Sequence, residues 1–460
     1  MMSNAHVHVF SRLTSYHRQQ SNCNMKSQTL NFPPCLVTPE YRIIRPNKPL
    51  WRNSFILIYG KVLTMDRIKN PFTPGAGYLP PELAGRNQVI DDGNVVAMRT
   101  KLQRAERGLM LIGQRGVGKT VLLKYLSERA RENGIIPVVA EIRNDKSDLE
   151  ELVLKLKEAL YILDFKCKMK ACIQEAFAVL GNFVKRFSLN IGDVGVSIEP
   201  HRGFGESGNM ELDLSQVLLS SARAAKVSST AIGLYIDELQ NLNEDAMRGI
   251  VVALHRSAQE LLPLYLIGSG LPTIRTLIGK SKTYAERMFV YEMIGALDED
   301  ASWAAIVKPF EDNGVSVEDA AFTEIFKASA GYPFFLQECG YQVWQHAEHS
   351  PILANDVVSI LPKVIENLDR SFFEVRFDRV SAVEKKFLMA MADGEPEKPQ
   401  AIVDVANRMG RSANSLSMMR RSLIKKGMIY SPSLGMVAYT VPMFGAYLRR
   451  ISESAAITSS

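Results

Sequence analysis

The sequence predicts an α/β fold followed by two smaller modules, and three observations carry that expectation. Short apolar runs alternate with amphipathic helical stretches between residues 108 and 270. The strand signal stops near residue 295, and residues 298–375 read as several helices. Residues 380–450 then read helix, helix, turn, helix, hairpin, helix. Strand-helix alternation implies a parallel sheet, because a parallel pair needs a long crossover and a helix both supplies it and covers the sheet face.

The elements follow in order. Residues 71–84 are rich in Pro and Gly and read as an extended lead-in. Residues 88–105 read as a helix. "GLMLIG" from 108 is a buried strand, and "KTVLLKYLSERAREN" is a helix stopped by Gly134. "IIPVVAEIR" at 135–143 is a second strand. "SDLEELVLKLKEALYIL" at 147–163 opens on a Ser/Asp cap signal and keeps apolar residues at helical spacing. A further helix covers 168–186, and 186–200 alternates around "GDVG", which reads as a hairpin. A helix at 211–226 leads to strand "AIGLYIDEL", and a helix at 243–260 leads to "LPLYLIGSG" at 262–270.

The chain's 460 residues exceed one comfortable core, so several domains are expected. The boundaries read as a basic, poorly ordered extension over 1–64, an α/β domain over 65–296, a helical domain over 297–378, a C-terminal module over 379–450 and a tail over 451–460. Met65 is also a plausible start, which leaves open whether 1–64 belongs to the natural protein. Apolar residues at 46% fit a packed globular chain. The longest apolar runs, such as "FILIY" at 55–59, are too short to span a bilayer. The five scattered cysteines fit no common zinc or redox spacing, and a reducing cytoplasm is the simple expectation.

The net charge of +6 is unevenly placed. Residues 1–64 hold eight Lys/Arg against one acid, and 379–450 hold twelve against five. Residues 65–378 hold 35 bases against 42 acids. An acidic body thus carries a basic C-terminal module, and basic modules attract polyanions.

The chemistry is concentrated in "GQRGVGKT". Gly113, Gly118, Lys119 and Thr120 fit G-x-x-x-x-G-K-[ST] between a strand and a helix. The glycines let the amides of Gln114, Arg115, Gly116, Val117 and the helix start at Val121 converge on one point, where helix N-terminus and amides bind phosphate oxygens. Lys119 can bridge the terminal phosphates, and the Thr120 hydroxyl can join an Mg²⁺ shell. "GLYIDELQNL" places Asp237 at the carboxyl end of a buried strand, where ligands sit in open α/β sheets. Asp237 is the second expected Mg²⁺ residue, and Glu238 the acid that polarises the attacking water.

With these motifs in place the chain resembles AAA+ P-loop ATPases, specifically their origin-recognition-like branch, over about residues 65–450. The resemblance implies further roles. "PPELAGR", with Gly85 and Arg86, is similar to the element that borders the adenine. "LIGSG" puts Ser269 where the family has a polar sensor. "YAERMFVYEMIGAL" points to Arg287 as the arginine that reaches a neighbouring subunit's phosphate. "SAGYPFFLQECGYQVW" resembles the lid helix, followed by a winged helix. One departure stands out: many lids carry an arginine early in that helix, whereas here the stretch is Pro333, Phe334, Phe335, Leu336, Gln337. The Gly-x-Pro pattern is also similar to signal-transducing STAND ATPases, which use nucleotide as a switch.

In a winged helix the third helix enters the major groove and the wing touches backbone. Arg420, Arg421 and Lys425 are the expected phosphate contacts, and Asn414 the residue placed to reach a base edge. Winged helices also dock proteins, so a protein partner stands beside duplex DNA. The expected function is an ATP-hydrolysing ATPase with a DNA-binding winged helix and no membrane contact. Its alternatives are a STAND-like switch that docks a protein partner and a non-hydrolysing, nucleotide-stabilised scaffold.

Overall fold

The computed structural model describes residues 65–143, 148–167, 171–190 and 207–459. The hairpin expected at 186–200 lies, from residue 191, outside the described residues, as does the whole of 1–64. The elements of the first part are α1 (Asn87–Lys101), β1 (Gly108–Ile112), α2 (Lys119–Glu132), β2 (Ile136–Glu141), α3 (Asp148–Cys167), α4 (Ala171–Arg186), α5 (Met210–Val227), β3 (Ile232–Asp237), α6 (Glu244–Glu260), β4 (Leu264–Gly270), α7 (Ile274–Ser281) and β5 (Phe289–Met293). The five strands form one parallel sheet in the order β2-β3-β4-β1-β5.

Strand position explains strand composition. β1, β3 and β4 lie inside the sheet and every one of their residues is buried. The edge strands β2 and β5 keep partly exposed residues. The two faces bury separate cores. Met110, Ile112, Leu234 and Ile236 pack with α3 to α6, while the alternate residues Leu109, Leu111, Tyr235 and Ile267 pack with α1 and α2. Local caps hold the helices to length. Asn243 accepts from the Ala246 amide at 2.8 Å to start α6, and Asn209 accepts from Leu212 to start α5.

Beyond the sheet come α8 (Glu299–Glu311), α9 (Asp319–Ser329), α10 (Pro333–His346) and α11 (Ala354–Leu368), then a π-helical turn at Asp369–Glu374 running into α12 (Val375–Phe377). The C-terminal part has α13 (Ala382–Ala392), β6 (Gln400–Ala401), α14 (Ile402–Arg408), a 3₁₀ turn at Ala413–Leu416 leading into α15 (Ser417–Lys425), β7 (Ile429–Tyr430), β8 (Met436–Tyr439) and α16 (Phe444–Ser459). β8 pairs antiparallel with both β6 and β7. Helices with a hairpin that closes on a short first strand have the element order of a winged helix. Its α13 starts with a reciprocal cap between Ser381 and Glu384. Apolar contact does not break between the helical part and this one: a single core runs from Phe310 and Phe335 through Phe373 to Phe444 and Leu448.

Candidate active site

β1 ends at Ile112, and the turn after it depends on glycine at two places. A Cβ on Gly113 would lie 2.0 Å from the Ile294 carbonyl oxygen, so only glycine lets the segment after β5 close on the loop. Gly118 takes a φ of +91° immediately before α2, a left-handed turn that L side chains rarely adopt. Lys119, 6% exposed, is the first residue of that helix, and its ammonium donates to the Gln114 carbonyl at 2.7 Å across the loop. Burial pushes its pKa down to about 8; Glu238 and Asp237 oppose this and Arg115 reinforces it. The first turn of α2, at Lys119, Thr120 and Val121, has N–H groups without helical partners, which is an anion site.

The adjacent strand ends supply the acids. Because β4 lies between β1 and β3, the carboxyl ends of all three converge on the loop. Asp237, 6% exposed, accepts from the Thr120 hydroxyl at 2.6 Å through one carboxylate oxygen. Its other oxygen accepts from the Glu238 amide at 2.8 Å and from the Ser269 hydroxyl. Thr120 and Asp237 therefore present neighbouring hard oxygens beside an open cleft, a donor pair that fits Mg²⁺ with water and phosphate completing the shell. Ser269 is fully buried, and its hydroxyl meets Asp237. There it can orient the carboxylate from the end of β4, the strand-end position the sequence assigned to a polar sensor.

Glu238 adopts a left-handed backbone with φ +50° at the strand end. Its carboxylate accepts from the Gln240 side-chain amide and lies 3.7 Å from the Arg115 guanidinium. Gln240 in turn accepts from the Leu271 amide at 3.0 Å, which ties the acid to the exit of β4. Sequence reading missed both Gln240 and the Arg115–Glu238 pair. Neither has a motif signal, although Gln240 stands two residues after the acid it holds.

The cleft above these groups measures about 750 Å³. Leu83, Ala84, Leu297, Ala305 and Leu336 give it an apolar wall. Gly85, at φ +67°, packs against Ala301 and Leu297. Arg86 donates to the carbonyls of Gly295 at 2.6 Å and Val117 at 3.4 Å, stapling the loop to the start of the helical part. Burial lowers the Arg86 pKa, opposed by Asp298. On the lid side stand Phe334, Phe372 and Arg376, the last two also unread in the sequence. Arg287 is not brought here. It is exposed beside Arg104 and Arg107 at a cavity of about 290 Å³ formed at the amino ends of β1, β4 and β5, the opposite edge of the sheet.

The C-terminal part touches the loop directly. The Arg115 amide donates to the Thr440 carbonyl at 2.9 Å. Gln114 donates to the Tyr439 carbonyl at 3.4 Å and accepts from the Tyr332 hydroxyl of the lid at 3.1 Å. On α15 and the turn before it, Asn414, Arg421 and Lys425 are exposed. Arg420 is different: its guanidinium donates to the Ser431 hydroxyl at 2.6 Å and the Met436 carbonyl at 3.3 Å. These bonds brace the segment between β7 and β8.

Comparison with known proteins agrees with this geometry. Residues 102–274 match the family described as "AAA domain", and residues 370–448 match a family described as a domain of unknown function. No curated protein matches the chain. Among solved structures, a Walker-type ATPase of Pyrococcus abyssi aligns with a TM-score of 0.50 at 16% identity, covering 80% of this chain and 96% of that one. The Orc1 protein of Aeropyrum pernix in complex with DNA gives 0.42 at 14% identity, covering 84% and 97%, and Cdc6p of Pyrobaculum aerophilum gives 0.42 at 14%, covering 83% and 97%. Among the described residues no helix is long and apolar enough to cross a membrane. The matched domain, the parallel sheet and a glycine loop that sets Lys119 and Thr120 beside Asp237 identify residues 102–274 as an AAA domain of P-loop type.

Proposed function

We propose that the chain hydrolyses ATP at this cleft and uses its winged helix to bind duplex DNA, in the manner of the origin-recognition-like branch. The observation that carries the first half is the convergence of Lys119, Thr120, Asp237 and Glu238 at adjoining strand ends. Lys119 and the loop amides hold the phosphates, Thr120 and Asp237 hold Mg²⁺, and Glu238 orients the attacking water. Bound Mg²⁺ neutralises charge on the phosphate oxygens, and the protein's share is positioning and electrostatics. Support for DNA comes from the exposed Asn414, Arg421 and Lys425 on a module with twelve bases and five acids.

A second reading is a STAND-like switch whose winged helix docks a protein. It is supported by the Thr440 carbonyl holding the Arg115 amide, since that contact ties the C-terminal module to the nucleotide loop. Mg²⁺-dependent phosphate release, measured with and without several unrelated duplexes, separates the readings. Turnover stimulated by DNA is expected. Turnover without DNA binding at low salt would favour the switch, and no turnover would leave a nucleotide-stabilised scaffold.

A further inference from the structure

The lid helix brings no cation to the cleft. α10 opens Pro333–Phe334–Phe335–Leu336–Gln337, and the Phe334 amide donates to the Gly116 carbonyl at 3.3 Å. The Phe334 ring stacks on Phe372 of the π-helical turn with centroids 4.7 Å apart. The two side chains close over the loop: a Cβ on Gly116 would lie 3.6 Å from Phe334 and 4.0 Å from Phe372. One turn further on, Arg376 folds back onto this lid. Its guanidinium sits 3.9 Å over the Phe372 ring and donates to the Phe372 carbonyl at 2.6 Å. That conformation makes Arg376 line the same cleft as Lys119, Thr120, Asp237 and Glu238.

The placement is electrostatically unfavourable as it stands. Burial lowers the Arg376 pKa to about 10, and the charges of Arg115 and Arg379 push the same way. Among the described residues no carboxylate lies within 4 Å of it to compensate. A partly desolvated guanidinium without a carboxylate partner is stabilised by a bound anion. The loop amides and Lys119 approach from the α2 side. Arg376 lines the cleft from the side of Phe334 and Phe372, which close over Gly116 of the loop.

We propose that Arg376 binds the terminal phosphate of a nucleoside triphosphate, supplying from the junction before the winged helix the cation that the lid helix lacks. This rests on the reading of the cleft as an ATP site. The neighbouring Phe373 packs against Phe444 and Tyr447 of α16, with centroids 5.9 and 5.4 Å away, so the contact reports directly to the C-terminal module.

The test compares a non-hydrolysable ATP analogue with ADP, both with Mg²⁺, by titration calorimetry on the full chain. Arg376→Met keeps the stem over Phe372 and removes the charge; Arg376→Lys restores a charge without the planar fork. Arg376→Met is expected to weaken the triphosphate about 10- to 150-fold while shifting ADP less than about threefold, with partial recovery in Arg376→Lys. The nucleotide-free melting temperature should match wild type in both variants. Equal losses for the two nucleotides, or no loss at all, would overturn the assignment while leaving the ATP site intact. If wild type binds neither nucleotide, the ATP site itself falls and this proposal with it.

Discussion

Raising the pH from 7 to 9 should weaken nucleotide binding about tenfold, and the cause is Lys119 alone. In the free protein its ammonium has a pKa of about 8 because burial penalises the charged form. A bound polyphosphate favours that charge, so the pKa rises on binding and the complex takes up a proton. The sign follows: affinity is fully present below pH 8 and is lost as pH rises through and above it. At pH 7 about nine in ten molecules carry the charge, and at pH 9 about one in ten, which gives the tenfold ratio. The second ionisation of a phosphate, near pH 6, is complete over this range and adds little. Titration calorimetry in two buffers of different ionisation heat should show uptake of about half a proton per nucleotide at pH 8. Lys119→Ala should lose roughly 1.5–3 kcal/mol at pH 7, or about 10- to 150-fold, and its affinity should no longer depend on pH between 7 and 9. Equal wild-type affinity at both pH values, with no proton uptake, would show that this ammonium does not meet phosphate.

Glu238→Gln should retain nucleotide and lose about 10²- to 10⁴-fold in turnover, because an amide cannot polarise water as a carboxylate does; wild-type phosphate release would move that role to another group. In the C-terminal module, burial pushes the Glu384 pKa up, but hydrogen bonds from Lys426, Ser422 and Ser381 outweigh it and hold it at about 2. Its stabilisation is present above the ordinary carboxylate range and is lost as pH falls through 4 toward 2, so Glu384→Gln should cost about 2 kcal/mol at pH 7 and much less near pH 2. Urea unfolding at several pH values reads this, and an identical penalty at every pH would show that the charge is not involved. Arg421→Ala with Lys425→Ala should reduce the salt slope of log DNA affinity by about 1.8, whereas Arg420→Ala should chiefly loosen the wing; anisotropy across a salt series decides, and an unchanged slope would remove both residues from the phosphate contacts.

The nucleotide half was legible because its signals are local. A strand, a glycine turn and a helix start are contiguous from Gly108 to Leu123, and the inner strands β1, β3 and β4 are apolar throughout because both faces are covered. β5 escaped reading because it pairs only with β1 at a sheet edge, so "FVYEM" shows neither a continuous apolar run nor clean alternation. β6 has two residues and exists only because β8 lies beside it. Side-chain direction was also out of reach. Ser269 and Leu111 share a register, but only the assembled sheet turns the Ser269 hydroxyl onto Asp237. Arg420 and Arg421 are adjacent in sequence, and about 100° of helix rotation gives one to the wing and the other to solvent. Arg376 reaches the cleft through the packing of two aromatic rings on a glycine, a long-range fact with no local pattern.

That same packing makes the nucleotide loop a shared part of three modules. Gln114 is gripped by Tyr332 from the lid and by the Tyr439 carbonyl from the C-terminal module. Arg115 gives its amide to Thr440 and its guanidinium to Glu238. Two hydrogen bonds therefore run from the loop to the C-terminal module, together worth about 1–3 kcal/mol net. Moving that module off the loop would remove them. A nucleotide bound at the loop and a ligand that shifts the module would then be coupled through these contacts. Linkage requires the effect to be reciprocal: if ATP changes the affinity for duplex DNA by some factor, DNA changes the affinity for ATP by the same factor, about 5- to 150-fold for couplings of this size. Two titrations test it, DNA with and without a non-hydrolysable ATP analogue, and the analogue with and without DNA. Matching factors are expected. If both ligands bind and neither alters the other, the contacts at Gln114 and Arg115 hold the modules together without carrying a signal, and the C-terminal module acts independently of the nucleotide loop.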